Sequence, residues 1–222
     1  MSNYVIVGHS PILFNKPRDI DKYDVVVRLN TGYPRPELKQ YMGTRTDLWF
    51  NWDGFDELYR SLESKFNANR HITWREYPQE FFRNLRSEQR QDKAPSMGML
   101  AYYYILQREN PTSISLYGFD FFKTVDFQLP EILTYNQENA WHNFKKEEEW
   151  FWRTKPDFVK FYDENNKEVK MNSKSAKRIS NKAIQEPNEY KGVKTIECKS
   201  CKTVMEYRGY KRGCPVCNTI NG

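Results

Sequence analysis

The stretches "NYVIVG" (residues 3–8) and "DVVVRLN" (residues 24–30) are short β-branched runs, apolar at consecutive positions rather than at alternate ones. A strand apolar on both faces is one buried on both faces, as in a parallel sheet. The runs end at Gly8 and Asn30, residue types suited to the turn after a strand. Outward from this pair, "TDLWFN" (46–51), "HITWR" (71–75) and "SISLYGF" (113–119) read as further strands. Helical spacing marks "FDELYRSLESKF" (55–66), "PQEFFRNLRSEQR" (78–90) and the segment from Ser96 to about Glu109. Strand and helix alternating through short connections predict an α/β fold: a Rossmann-like, mostly parallel sheet with helices on both faces. Ligands in such sheets sit at the C-terminal strand ends, which here carry Gly8, Asn30, Asn51 and Gly118.

The 222 residues suffice for one such domain and a small appendage. The predicted division is an α/β domain over 1–164, a polar and basic linker or arm over 165–192, and a small module over 193–222. No apolar run approaches membrane-spanning length, and "MSNYVIVGHS" lacks the basic start of a signal peptide, so the expected location is the cytoplasm. Residues 1–150 hold 19 Lys and Arg against 21 Asp and Glu, net −2; residues 151–222 hold 16 against 8, net +8. A basic tail on a near-neutral body suits a polyanionic partner such as nucleic acid, or else serves only solubility. Aromatic residues make up 16% of the chain and interleave with charge, which suggests a surface able to stack on ligands.

All four cysteines lie near the C-terminus, as Cys198 and Cys201 in "CKSC" and Cys214 and Cys217 in "CPVC". Two C-x2-C knuckles 12 residues apart can close a thiolate tetrahedron around a structural Zn²⁺, with "KTVMEYRGYKRG" (202–213) as a hairpin between them. Two disulfides are the alternative, disfavoured in a reducing compartment. Lys199, Lys202, Arg208, Lys211 and Arg212, with Tyr207 and Tyr210 among them, could grip phosphates and stack on bases. Such ribbons also serve as protein-docking knobs.

"APSMGMLAYYY" (94–104) reads as a helix entrance, with Ser96 able to accept a backbone N–H as N-cap. Gly98 there weakens the helix unless something approaches the backbone closely. Helix N-termini with small residues also suit anions.

Taken together, these segments resemble the sialyltransferases of glycosyltransferase family 29. "VIVGHSPIL", "IDKYDVVVRLNTG" and "YMGTRTDLWF" look like that family's long motif, and "APSMGMLAYYYILQRENPTSISLYGFDFF" like its short motif. "HNFKKE" supplies a His-x4-Glu spacing at His142 and Glu147. The resemblance covers roughly residues 3–150 and implies a GT-A-like domain performing metal-independent, inverting glycosyl transfer from a CMP- or UDP-linked nucleotide sugar. It implies that Gly8, His9, Ser10 and Asn30 line the donor, with Ser96, Met97 and Gly98 near its phosphate and sugar; Asn51, at a strand end, is a further donor-binding candidate. It assigns His142 as general base, a role that suits an imidazole near neutral pH, and Glu147 as its support. Without the flanking motifs, His142 would read as an exposed histidine at a helix start; His71 reads as structural. The chain departs from the pattern at His9, where the family usually has Asn. It departs again at Met97, where a hydroxyl residue usually lies near the sialic acid carboxylate; a thioether donates no hydrogen bond.

Three functions follow. The first is a glycosyltransferase modifying a hydroxymethylated pyrimidine in DNA, as found in some bacteriophage genomes, with the tail and ribbon holding the polyanion. The second is a cytosolic sialyltransferase-like enzyme acting on a bacterial or viral glycan. The third is a degenerate domain that only binds nucleic acid or protein.

Overall fold

The computed structural model describes residues 2–52, 65–124, 142–170, 195–197 and 204–206. The chain divides into two compact units, Met1–Ala183 and Ile184–Gly222.

The first unit is built on six parallel strands: β1 (Asn3–Val7), β2 (Val25–Leu29), β3 (Leu48–Asn51), β4 (Arg70–Thr73), β5 (Ser113–Tyr117) and β6 (Val159–Phe161). Their order is β4-β3-β2-β1-β5-β6. The consecutive apolar residues of β1 serve both faces. Tyr4 and Ile6 enter one core with Val27 and Leu29 of β2 and Ile114 and Leu116 of β5; Val5 and Val7 enter a second core with Val26 and Tyr117. Register Tyr4↔Val25 and Tyr4↔Ile114 keeps these sets level across the sheet.

Helical elements cover both faces unequally. The larger core is capped by α2 (Gln79–Glu88), α3 (Met97–Arg108) and α4 (Phe144–Thr154). Helix α2 buries only Phe81 and Leu85, the stripe of a surface helix, whereas α3 is buried from Met97 to Tyr103 and again at Ile105. The second core is closed by the short α1 (Lys39–Met42) and by 3-10 turns at Pro11–Phe14 and Ile20–Lys22.

Three elements of the first unit escaped the sequence reading, the four-residue α1 among them. Strand β6 is three residues long, too short to show a period, and becomes a strand only through its ladder with β5. Helix α4 was foreseen only as a helix start; its N-cap is Asn143, whose Oδ1 accepts from Lys146 N at 3.2 Å. The polar stretch expected as a linker from 165 begins instead as a turn: Asp163 accepts from Asn165 N and Lys167 N, and Val169 N donates to Phe161 O. The helix expected over 55–66 lies outside the described residues apart from Lys65 and Phe66.

Among the described residues, many of the aromatic side chains expected to form a stacking surface go to the core instead. Trp49, Phe50, Tyr102, Phe151 and Phe161 are fully buried, and among the described residues Phe158 is the exposed large apolar side chain. In the second unit, β7 (Thr195–Glu197) and β8 (Val204–Glu206) pair antiparallel. Cys198 and Cys201 thus lie in the sequence between β7 and β8, whereas the sequence reading set the hairpin over 202–213.

Candidate functional site

The sheet order reverses at β1 and β5, which lie side by side while the chain leaves them toward opposite edges. That reversal opens a crevice beyond their C-terminal ends. Two glycines shape it. A Cβ on Gly8 would stand 2.3 Å from the Gly118 carbonyl oxygen, and Gly118 has φ +69°. Their backbones instead run in contact, with Gly8 N donating to Tyr117 O at 2.7 Å and Ser10 N to Gly118 O at 2.9 Å. The crevice so formed is lined by Gly8, His9, Ser10, Leu29 and Asn30 from the β1–β2 side and by Ser96 to Met99 from the start of α3. Gly118 to Phe122, Thr124, His142 and Glu147 complete it.

Glu147 is 1% exposed and grips the start of α3 with both oxygens. Its Oε1 accepts from Ser96 N at 2.6 Å and its Oε2 from Ser96 Oγ at 2.7 Å. Burial pushes its pKa up to about 7, against the lowering effect of those bonds. Ser96 is thus the N-cap residue by position, but its hydroxyl donates to Glu147 rather than accepting a helix N–H. The first-turn N–H groups of Met97, Gly98 and Met99 are left with no partner in the helix, and these residues border the crevice.

His142 sits just before α4. Its Nδ1 lies 2.7 Å from the Ala94 carbonyl oxygen, an acceptor only, so Nδ1 carries a proton and Nε2 is the basic nitrogen of the neutral ring. Burial lowers its pKa, and the charge of Lys93 adds to the shift while the Ala94 bond opposes it. The imidazole is therefore neutral at pH 7 with a defined tautomer, the state a general base requires.

The other predicted residues fall out differently. His9 borders the crevice with Nε2 donating to Leu29 O at 3.0 Å. Its ring fills the place of a Gly32 side chain. Asn30, at φ +42°, is held at the end of β2 by Trp49 Nε1 on its carbonyl (2.7 Å) and Trp52 N on its Oδ1 (3.3 Å). Ser10 turns its hydroxyl to Asp120 (3.0 Å) and Thr124 (3.0 Å). Gly98 leaves no open space: a Cβ there would meet the Phe119 ring at 2.7 Å. Asn51 does not border the crevice. It is 1% exposed on the opposite side of β3 from Phe50, with Oδ1 2.6 Å from His71 Nε2. His71 is structural, stacked on Trp49 at 4.0 Å.

Asp120 and Thr124 were missed. The Asp120 carboxylate is buried, which raises its pKa, and accepts from Ser10 Oγ, Thr124 N (2.9 Å) and Thr124 Oγ1. An Asp two residues beyond a strand-ending glycine was the available signal. Cys198, Cys201, Cys214 and Cys217 lie outside the described residues, as do Lys199, Lys202, Tyr207, Arg208, Tyr210, Lys211 and Arg212. Among the described residues no cluster of His, Cys, Asp and Glu could hold a metal ion, and no helix is long and apolar enough to cross a membrane.

A crystal structure of a mammalian sialyltransferase matches at TM-score 0.50 and 16% identity, over 73% of this chain and 69% of that one. The fold is sialyltransferase-like. Two Campylobacter jejuni structures are also similar, each at TM-score 0.48. The sialyltransferase CstII with cytidine-5'-monophosphate is 13% identical over 81% of this chain and 98% of its own. An α-2,3-sialyltransferase in apo form is 18% identical over 73% and 74%. No protein-family model matches the sequence, and no curated protein matches it.

Proposed function

We propose that this protein is a cytoplasmic, nucleotide-sugar-dependent glycosyltransferase in which His142 is the general base. The observation that carries the reading is the held tautomer of His142 in a crevice shared with the open N-terminus of α3. The acceptor hydroxyl gives its proton to His142 Nε2 as its oxygen bonds to the anomeric carbon. The carbon–oxygen bond to phosphate breaks with inversion, and the electron pair leaves on the phosphate. That growing charge meets the N–H groups of Met97, Gly98 and Met99, favoured there by the helix dipole. Glu147 keeps this helix start in place through Ser96. No metal enters the step.

The acceptor in this reading is a polyanion, a hydroxymethylated pyrimidine in DNA, as in some bacteriophage genomes, reached by flipping the base out of the stack. The net charge of +8 beyond residue 150 supports it. So does a ribbon in which Cys198, Cys201, Cys214 and Cys217 hold a structural Zn²⁺; the β7–β8 hairpin around the first C-x2-C fits one half of such a site. The neighbours' likeness favours a second reading, a sialyltransferase-like enzyme acting on a glycan. Mass spectrometry on a mixture of nucleotide sugars, hydroxymethylated DNA and a galactose-terminated oligosaccharide separates the two by which acceptor gains mass. His142→Ala is expected to lower transfer by about 10²-fold or more with donor affinity kept; transfer at the original rate rejects the base assignment.

A further inference from the structure

The turn after β5 is strained. Phe121 and Phe122 stand side by side at φ +54° and +58°, in the left-handed region that bulky side chains avoid. Among the described residues, four of the other five non-glycine residues at positive φ are asparagines, the type that bears it most easily. Such strain persists where the surroundings enforce it, and here the Asp120 carboxylate does so. It accepts from Phe122 N and from Thr124 N (2.9 Å), both amides of the turn itself. It also accepts from the hydroxyls of Thr124 and, at 3.0 Å, Ser10 at the end of β1. Four donors fill the lone pairs of a carboxylate, so Asp120, though it borders the crevice, is built to hold the chain and not a ligand.

The turn so fixed packs against α4. Phe121 is buried against Phe151 of α4 and Phe161 of β6, with ring centroids 5.7 Å and 5.9 Å away. Phe122 stacks at 4.0 Å on Phe144, the first residue of α4, and Lys123 Nζ meets Glu148 Oε1 at 2.5 Å. The His142 ring lies 5.6 Å from that of Phe144. His142 thus has two supports: the Ala94 carbonyl on Nδ1, and the Phe122–Phe144 stack at the helix start it precedes. Resting on the glycosyltransferase reading, we infer that Asp120 is a positioning residue for the base: by holding the left-handed turn it keeps Phe122 on Phe144, and that stack fixes the start of α4 and the ring of His142. Two effects of losing Asp120 then have opposite signs. Removing a negative charge disfavours the imidazolium and lowers the His142 pKa further, whereas loosening the packing that buries the ring raises it toward 6.5. Lys93, whose charge also bears on His142, stays in place in every variant below, as do Glu147 and the Lys123–Glu148 pair.

The test uses the full-length protein and follows the ring nitrogens of its three histidines by NMR, with His142→Ala giving the assignment. In the wild type the His142 ring is expected in the Nδ1–H form, titrating below 6.5. Asp120→Ala is expected to mix the tautomers and raise the midpoint by about half a pH unit or more. His71, stacked on Trp49, should keep its signals and so report the fold. Asp120→Asn keeps an acceptor for the turn amides and is expected to hold His142 within about 0.2 pH units of the wild type. Phe122→Leu removes only the stack, is expected to reproduce the alanine result, and decides the question if Asp120→Ala does not fold. An unmoved His142 in folded Asp120→Ala or Phe122→Leu overturns the inference, as does a rise in Asp120→Asn equal to that in Asp120→Ala. Calorimetric titration with CMP and UDP, and release of nucleotide from their sugar esters, test the underlying reading separately. Failure of both brings down that reading, and Asp120 as a support of catalysis with it, whatever the NMR shows. Where they succeed, the acid limb of the pH–rate profile is expected to follow the NMR midpoint in each variant. A limb that stays put while the midpoint moves rejects Asp120 as serving the base.

Discussion

Glu147 holds its charge at a cost. Its carboxyl titrates near 4.5 when exposed and is pushed up to about 7 here by burial. Below pH 4.5 both folded and unfolded chains hold the proton and stability is unaffected; from there to pH 7 stability falls as pH rises, by about 3 kcal/mol in all. Glu147→Gln keeps an oxygen for Ser96 N and offers an amide to Ser96 Oγ. Denaturant unfolding at pH 5 and pH 8 is therefore expected to show this pH-dependent loss in the wild type and a much flatter profile in the variant. His142 has the opposite sign: its lowered pKa means that protonating the unfolded chain removes stability as pH falls through about 6.5. The two glycines of the crevice differ in kind. Gly8→Ala drives a methyl into the Gly118 backbone, which cannot yield, and should cost about 3 kcal/mol. Gly98→Ala meets only the edge of the Phe119 ring, which can turn aside, and should cost about 1 kcal/mol, read from urea midpoints.

At the scale of elements, the long stretch from Asp21 to Thr46 is held together away from the crevice. Arg28 on β2 is fully buried, donating to Met42 O at 2.7 Å, Arg45 O at 3.0 Å and Thr46 Oγ1 at 3.2 Å. Burial pulls its pKa down to about 10, offset by the charges of Asp21 and Asp47. The Asp21 carboxylate in turn accepts from Thr44 N, Thr44 Oγ1 and Arg45 N, and Gly43 turns the loop at φ +69°. These residues join the end of α1 to the start of β3 and so set the height of Phe50, whose carbonyl receives Asn30 N at the crevice rim. Arg28→Met is expected to lose about 3 kcal/mol in denaturant unfolding, because two buried carbonyls lose their donors. It should weaken donor binding only through Asn30, in the same titration.

For the whole molecule, the two compact units and the two regions of net charge coincide only in part: the basic excess begins within the first unit, after α4, and continues into the second. If the second unit is held by zinc, chelation or Cys214→Ser is expected to abolish its folding and to weaken DNA binding. The unit Met1–Ala183 should keep its melting temperature within about 2 °C in the same calorimetric scan. Loss of both transitions together would show the units to be one cooperative body.

The α/β class, five of the six strands and α2 and α3 were legible in the sequence, because β-branched runs and helical periodicity are local patterns set by burial. Ser96, His142 and Glu147 were singled out only through a resemblance carried by three motifs in order, as a donor-site residue, a base and its support; the bond between Ser96 and Glu147 was not foreseen. What the sequence alone did not determine depends on partners distant along the chain. Strand β6 exists through β5, and Ser96 donates rather than accepts because Glu147 arrives from 51 residues away. Asn51 turned from the crevice because the pleat of β3 sends alternate side chains to opposite faces, and there it found His71. Asp120 became part of the site through Ser10, 110 residues earlier. Such contacts are fixed by how β1 and β5 meet, and only the assembled sheet decides that.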